Sequence, residues 1–168
     1  MKTIPWFERN LKFGLPVEML PYYLERLMGT GVRIDAKVNG VTDEILCANL
    51  DGKWSVKQTI GHLAEVDEVA TKRIDEMISG VPVMSSAVFE PKDYNPWPIE
   101  KVLAYFRSTR SCHILRYKSL TTVDLHKTSL HPRLKVPMTP VDLAWFDAEH
   151  DDHHLVRITE IIFTLTKT

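Results

Sequence analysis

Apolar residues recur at spacings of three and four along four long stretches of the chain, the period of helices with one buried face. The first stretch predicts a helix from about Pro21 to Val38, preceded by a turn that starts at Pro16. Leu20, Tyr23, Leu24, Leu27, Met28, Ile34 and Val38 form its core-facing stripe. Pro21 fits the first helical turn, where a missing N–H costs nothing, whereas Gly29 and Gly31 weaken the middle. A short turn at Thr42–Leu46 follows. The second helix has the sharpest start, since Ser55-Val56-Lys57-Gln58 reads as a capping box. It extends to about Ser79, where Gly80 and Pro82 stop it, and it buries Val56, Ile60, Leu63, Val66, Ala70, Ile74 and Met77.

A connector from about Val81 to Trp97 carries Pro82, Pro91, Pro96, Phe89, Tyr94 and Trp97. A connection of that length crosses a bundle or covers a site. The third helix spans about Pro98 to Leu120, with Val102, Leu103, Phe106, Ile114 and Tyr117 inward. A second connector contains Pro132 and Pro137, and its stretch from His131 to Met138 has room for a short extended segment. Thr139-Pro140-Val141-Asp142 then places a cap, an N1 proline and an acid in one turn, opening a last helix that runs to about Leu165. Four helices with a long crossover make an all-α bundle the economical architecture.

Composition narrows the setting. The 168 residues suit one domain, 1–168, with a real core, and 44% hydrophobic against 26% charged residues is a globular balance. Lysine and arginine number 21 against 22 acidic residues, so broad electrostatic binding to nucleic acid or anionic lipid is not expected. Met1 to Asn10 contains Lys2, Pro5, Glu8 and Arg9 without an apolar core to act as a signal peptide, and no apolar run is long enough to span a membrane. Cys47 and Cys112 form no CxxC and read as free thiols in a reducing compartment, which makes the cytoplasm the expected location.

The chemistry lies in the histidines. His150 and His154 are four residues apart on the last helix, so their rings project from one face, one turn apart. The helical phase puts Leu143, Asp147, Ile158, Ile161 and Leu165 on that same face, which turns the pair toward the interior. Inward imidazoles are either satisfied by polar partners or bind a metal, and an inward pair at ligand spacing favours the metal. His62, on the margin of the second helix's apolar stripe, is the best third ligand. His113 has no comparable partner in the sequence, and His126 and His131 fall in a loop. His153 is rotated away and reads as peripheral.

Lys53-Trp54-Ser55-Val56-Lys57-Gln58-Thr59-Ile60-Gly61-His62-Leu63-Ala64-Glu65-Val66-Asp67 resembles the second-helix signature of the DinB-like superfamily. Ala148-Glu149-His150-Asp151-Asp152-His153-His154 resembles its closing histidine motif, and the order, spacing and length agree over nearly the whole chain. The resemblance implies an up-down-down-up four-helix bundle, often dimeric, with metal ligands at His62, His150 and His154. In one departure, Leu155-Val156-Arg157 stands where many members continue with Arg-Gly-Gln. Members include thiol-dependent S-transferases, an isomerase using a low-molecular-weight thiol, and proteins described as metal-dependent hydrolases. The resemblance does not choose among them.

Three neutral imidazoles leave a divalent metal at least one open position, and nitrogen ligands suit zinc or nickel. Water on such an ion ionises at a pKa of roughly 7, and a coordinated thiol becomes a thiolate. Each ligand's second ring nitrogen calls for an acceptor, with Glu65, Asp147 and Asp151 at hand. Glu65 is the leading candidate for a base or supporting role, and a solvated helix carboxylate explains it equally well. Asp151 stands where H-E-x-x-H proteases carry their glutamate, but it is one methylene shorter and no third ligand follows, which disfavours a protease. Phe89, Tyr94 and Trp97 either line a pocket mouth or pack beneath their loop. The leading expectation is a metal-dependent enzyme acting on a small molecule by hydrolysis or thiol S-transfer. The alternative is a non-catalytic metal-binding or dimeric interaction bundle.

Overall fold

Two capping boxes fix where the histidine-bearing helices begin. Ser55 Oγ accepts from Gln58 N at 3.1 Å, while Gln58 Oε1 accepts from Ser55 N at 2.9 Å. Thr139 and Asp142 repeat the exchange at the start of the last helix. Asp142 also accepts from the backbone N–H groups of Gly14 and Leu15, tying the N-terminal segment to that helix. The computed structural model describes residues 4–89 and 92–167, so Lys2 and Pro91 lie outside the described residues.

The elements are α1 (Leu20–Val38), α2 (Asp43–Cys47), α3 (Val56–Ile78), α4 (Ile99–Lys118) and α5 (Pro140–Leu165). A turn at Val17–Met19 precedes α1, which continues through Gly29 and Gly31 without a break. The segment whose conformation the sequence leaves open contains a strand, Pro137–Met138 (β2), antiparallel to Ser129–Leu130 (β1). Val83 in the α3–α4 connector bridges to Leu130. Met28, expected inward, is 40% exposed, because the adjacent Leu27 takes the fully buried position.

Side-chain contacts give the helix directions. Lys57 Nζ donates to Trp97 O where α3 and α4 begin, Arg110 pairs with Asp67 at mid-length, and Arg116 pairs with Asp75 further on. The two helices therefore run parallel. α1 and α5 are parallel by the same test, with Arg26 on Glu149 and Lys37 on Thr159. Between the pairs the order reverses: Arg110 meets Leu27 O while Arg107 meets Asp35, and Trp54 lies by His154 while His62 lies by His150. The topology is up-down-down-up, and the connector between α3 and α4 is long because those two parallel neighbours need a crossover.

Two apolar clusters fill the bundle. One gathers Leu24, Leu27, Ile74, Met77, Tyr117 and Leu143, and the other gathers Ile34, Ile60, Leu63, Phe106, Leu155 and Ile158. Buried polar groups lie at mid-length between them, chiefly Thr30, Asp67, Arg110, His113, Asp147 and Asp151. Both cysteines are free, Cys47 half-buried and Cys112 exposed. Among the described residues no helix is long and apolar enough to cross a membrane.

Candidate metal centre

His62 lies two turns into α3, directly after Gly61. A Cβ at position 61 would overlap the Tyr94 ring, so glycine lets the connector lie flat on α3 at this point. The Tyr94 hydroxyl then donates to Glu65 Oε1 at 2.7 Å. His150 and His154 come from successive turns of α5, as their spacing requires.

The three histidines converge, with one nitrogen from each lying within 4.8 Å of the others. His150 Nε2 and His154 Nε2 are 3.1 Å apart. Two nitrogens at about 2.0–2.1 Å from one ion would stand roughly 2.9 Å apart at a right angle and about 3.4 Å apart at a tetrahedral angle. The observed separation falls between these values. The Nε2 atoms of His150 and His154 face each other, while His62 Nδ1 and His150 Nδ1 are buried without a hydrogen-bond partner. The donor set therefore fits a divalent cation.

Burial holds the His62 ring at a pKa of about 4. His150 and His154 are pushed well below the ordinary histidine value, first by burial and then by neighbouring histidines. All three are neutral at pH 7 and offer lone pairs. His153 stays outside the cluster, its ring tilted against Trp6 at 5.8 Å between centroids. Among the described residues no cysteine or carboxylate joins the three.

The acidic candidates face other tasks. Asp151 does not turn toward the histidines: its carboxylate accepts from Arg110 at 2.6 and 3.0 Å and from Thr30 Oγ1 at 2.7 Å. That removes the comparison with the protease glutamate. Asp147 Oδ2 lies 3.3 Å from His113 Nε2 without a hydrogen bond, and the partner that the sequence context of His113 did not reveal is Thr71, whose Oγ1 is 3.0 Å from His113 Nδ1. Glu65 serves Tyr94, with Lys92 Nζ at 3.5 Å, and does not satisfy His62 Nδ1.

A cavity of about 560 Å³ opens onto His62 and His150. Phe89 packs edge-on to His62 at 4.8 Å, as a pocket-lining residue of the connector. Tyr94 and Trp97 pack on each other and on Tyr105 instead. Other walls come from residues the sequence reading did not single out for the site. Trp6 covers His150 at 5.2 Å, with Arg9 bound to Glu149 holding its segment in place. Trp54 lies 4.5 Å from His62. A second, more polar hollow of about 440 Å³ borders Trp54 and His154, so the cluster is approached from two sides. Arg157, in the stretch that departs from the family pattern, donates to Leu50 O at 2.7 Å and pins the loop before Trp54.

A four-helix bundle of up-down-down-up order with three converging histidines between its helices defines the class of this protein. The chain belongs to the DinB superfamily, whose family model matches residues 29–158. It is 25% identical over 154 residues to a Bacillus pumilus protein named "Putative metal-dependent hydrolase", covering 86% of each chain. Its fold matches that of YfiT from Bacillus subtilis, described as a probable metal-dependent hydrolase with an unusual four-helix bundle topology. That match has a TM-score of 0.81 at 20% identity over 94% of each chain.

Proposed function

We propose that the protein is a metal-dependent enzyme in which His62, His150 and His154 hold one divalent cation, zinc or nickel, and act on a small molecule. The observation that carries this reading is the approach of three neutral imidazoles, one buried and two half-buried, to within 4.8 Å with no fourth protein ligand among the described residues. A structural site would close that fourth position. The names of the relatives point the same way. When bound, the cation supplies Lewis-acid activation of a water or a thiol.

The chain's own groups do the remaining work. Trp6, Trp54, Phe89 and Phe146 wall the cavity beside the histidines and keep bulk water from a bound substrate. Low pKa values keep the imidazoles unprotonated across the physiological range. Glu65, a helix turn from His62, accepts from the Tyr94 hydroxyl, and we assign it the positioning of the connector beside the site. The two-sided approach to the histidines favours transfer between two substrates, with a low-molecular-weight thiol as one of them, and hydrolysis is the second reading.

The test loads the protein with zinc or nickel. It then follows a panel of esters and amides, and thiols paired with alkylating electrophiles. Turnover is expected in one arm, abolished in His154→Ala and retained in His153→Ala. A loaded protein that consumes nothing in either arm would leave a non-catalytic metal-binding bundle as the better account.

A further inference from the structure

The large cavity continues away from the histidines along α3, where His62, Val66, Val69, Ala70 and Arg73 all line it. The Cα atoms of His62 and Arg73 are separated by eleven residues of helix, about 16 Å along the axis at 1.5 Å per residue. The intervening wall is apolar. Arg73 itself is 6% exposed, and His131, from the turn between β1 and β2, is 4% exposed.

Hydrogen bonding fixes which ring nitrogen of His131 carries the proton. His131 Nδ1 accepts from the backbone N–H groups of Arg133, at 3.3 Å, and Leu134, at 3.1 Å. An Nδ1 that accepts cannot hold a hydrogen, so the ring hydrogen is on Nε2. Burial, with Arg73 and Arg133 nearby, lowers the ring's pKa to about 4 and keeps it singly protonated. His131 Nε2 is 3.4 Å from Arg73 Nη1, and both are donors. They cannot satisfy each other. The rest of the guanidinium is held in place, with Nε and Nη2 donating to Ser85 O at 3.2 and 3.1 Å. Glu76 and Asp147 are the carboxylates whose charges reach Arg73, but none is hydrogen-bonded to Nη1 among the described contacts. Glu76 is engaged by Ser85.

We infer that Arg73 Nη1 and His131 Nε2 form a subsite for a substrate carboxylate, remote from the histidine cluster and joined to it by the apolar wall. This deepens the proposed function and rests on it for the second end of the substrate. An acid with an apolar body fits: its carboxylate is held by the two donors, its hydrocarbon lies on Val66 and Val69, and its reactive group reaches His62 and His150. Two donors 3.4 Å apart on one cavity wall are close enough to share a single anionic oxygen.

The test compares 4-phenylbutyrate with its neutral amide by calorimetric titration of the full chain, metal-free and zinc-loaded. The acid is expected to bind the metal-free protein at least about tenfold more tightly than the amide, one charge-assisted contact's worth. Arg73→Gln should erase that preference. So should His131→Asn, whose side-chain oxygen can still accept from the backbone of residues 133 and 134, which keeps the turn if the arginine variant folds poorly. His154→Ala should leave the preference intact even where it loses metal. Acid binding that appears only with zinc, disappears in His154→Ala and survives Arg73→Gln would overturn the inference, assigning the carboxylate to the metal. Equal binding of acid and amide, or no binding of the acid at millimolar concentration, would overturn it too. Failure of the metal reading shows separately, as unchanged metal content in His154→Ala.

Discussion

Asp151 follows His150 in the chain yet faces Arg110, whose Nη1 and Nη2 donate to its two oxygens at 2.6 and 3.0 Å. Neighbouring residues on a helix point about 100° apart, so one motif serves two purposes. His150 and His154 face the cluster, and the first aspartate joins α5 to α4. Asp67 completes the arrangement by accepting from Arg110 Nε at 2.9 Å, and Leu27 O accepts from Nη1 at 2.8 Å. The arginine thus touches α1, α3 and α5 from α4.

Asp151→Ala is accordingly expected to cost about 1–3 kcal/mol, since Arg110 keeps Asp67 as its counter-ion but buried donors of Arg110 and Thr30 lose their acceptor. Metal content per folded chain should stay near wild type. Chemical denaturation and elemental analysis on the same samples check both halves. A variant of normal stability that had lost its metal would return Asp151 to the histidine site.

Gly61→Ala is expected to destabilise by about 1–3 kcal/mol, because the new methyl overlaps the Tyr94 ring. The sign should reverse when Tyr94 is first replaced by alanine, since alanine is then simply the better helix former. A double-mutant cycle measured by thermal unfolding shows the coupling. Additive effects would mean that the connector does not rest on α3.

The contribution of His62 to the stability of the metal-free protein should fall between pH 6.5 and 4. His62 has a folded pKa of about 4, below its unfolded value near 6.5, so its contribution is present above 6.5 and is lost as the pH drops through 4. The full swing is about 3 kcal/mol at 1.36 kcal/mol per pKa unit. His131 adds in the same direction. Urea titrations across this range should show a shallower slope in His62→Gln, and an unchanged slope would remove burial of His62 from the account.

Much of this was legible from spacing alone. The capping box at Ser55 and the cap, N1 proline and acid from Thr139 to Asp142 marked the starts of α3 and α5, and the four-residue interval fixed the shared face of His150 and His154. Long-range partners were not legible. Nothing local tells Asp151 from Asp152, yet one is buried with Arg110 and the other pairs with Arg26 and Arg33 at the surface. Trp6 lies 56 residues from His62, and the two border one cavity because the bundle folds them there. His131 carried no signal beyond a loop context, since its tautomer follows from backbone N–H groups that only the folded turn presents.

The central claim is tested most directly by elemental analysis of wild type, His62→Ala, His150→Ala, His154→Ala and His153→Ala, purified identically without chelator. One divalent ion per chain is expected in wild type and in His153→Ala, with a sharp loss in the other three at unchanged helicity. Equal metal in all five proteins, or none in wild type after incubation with zinc or nickel, would contradict a shared ion at these histidines.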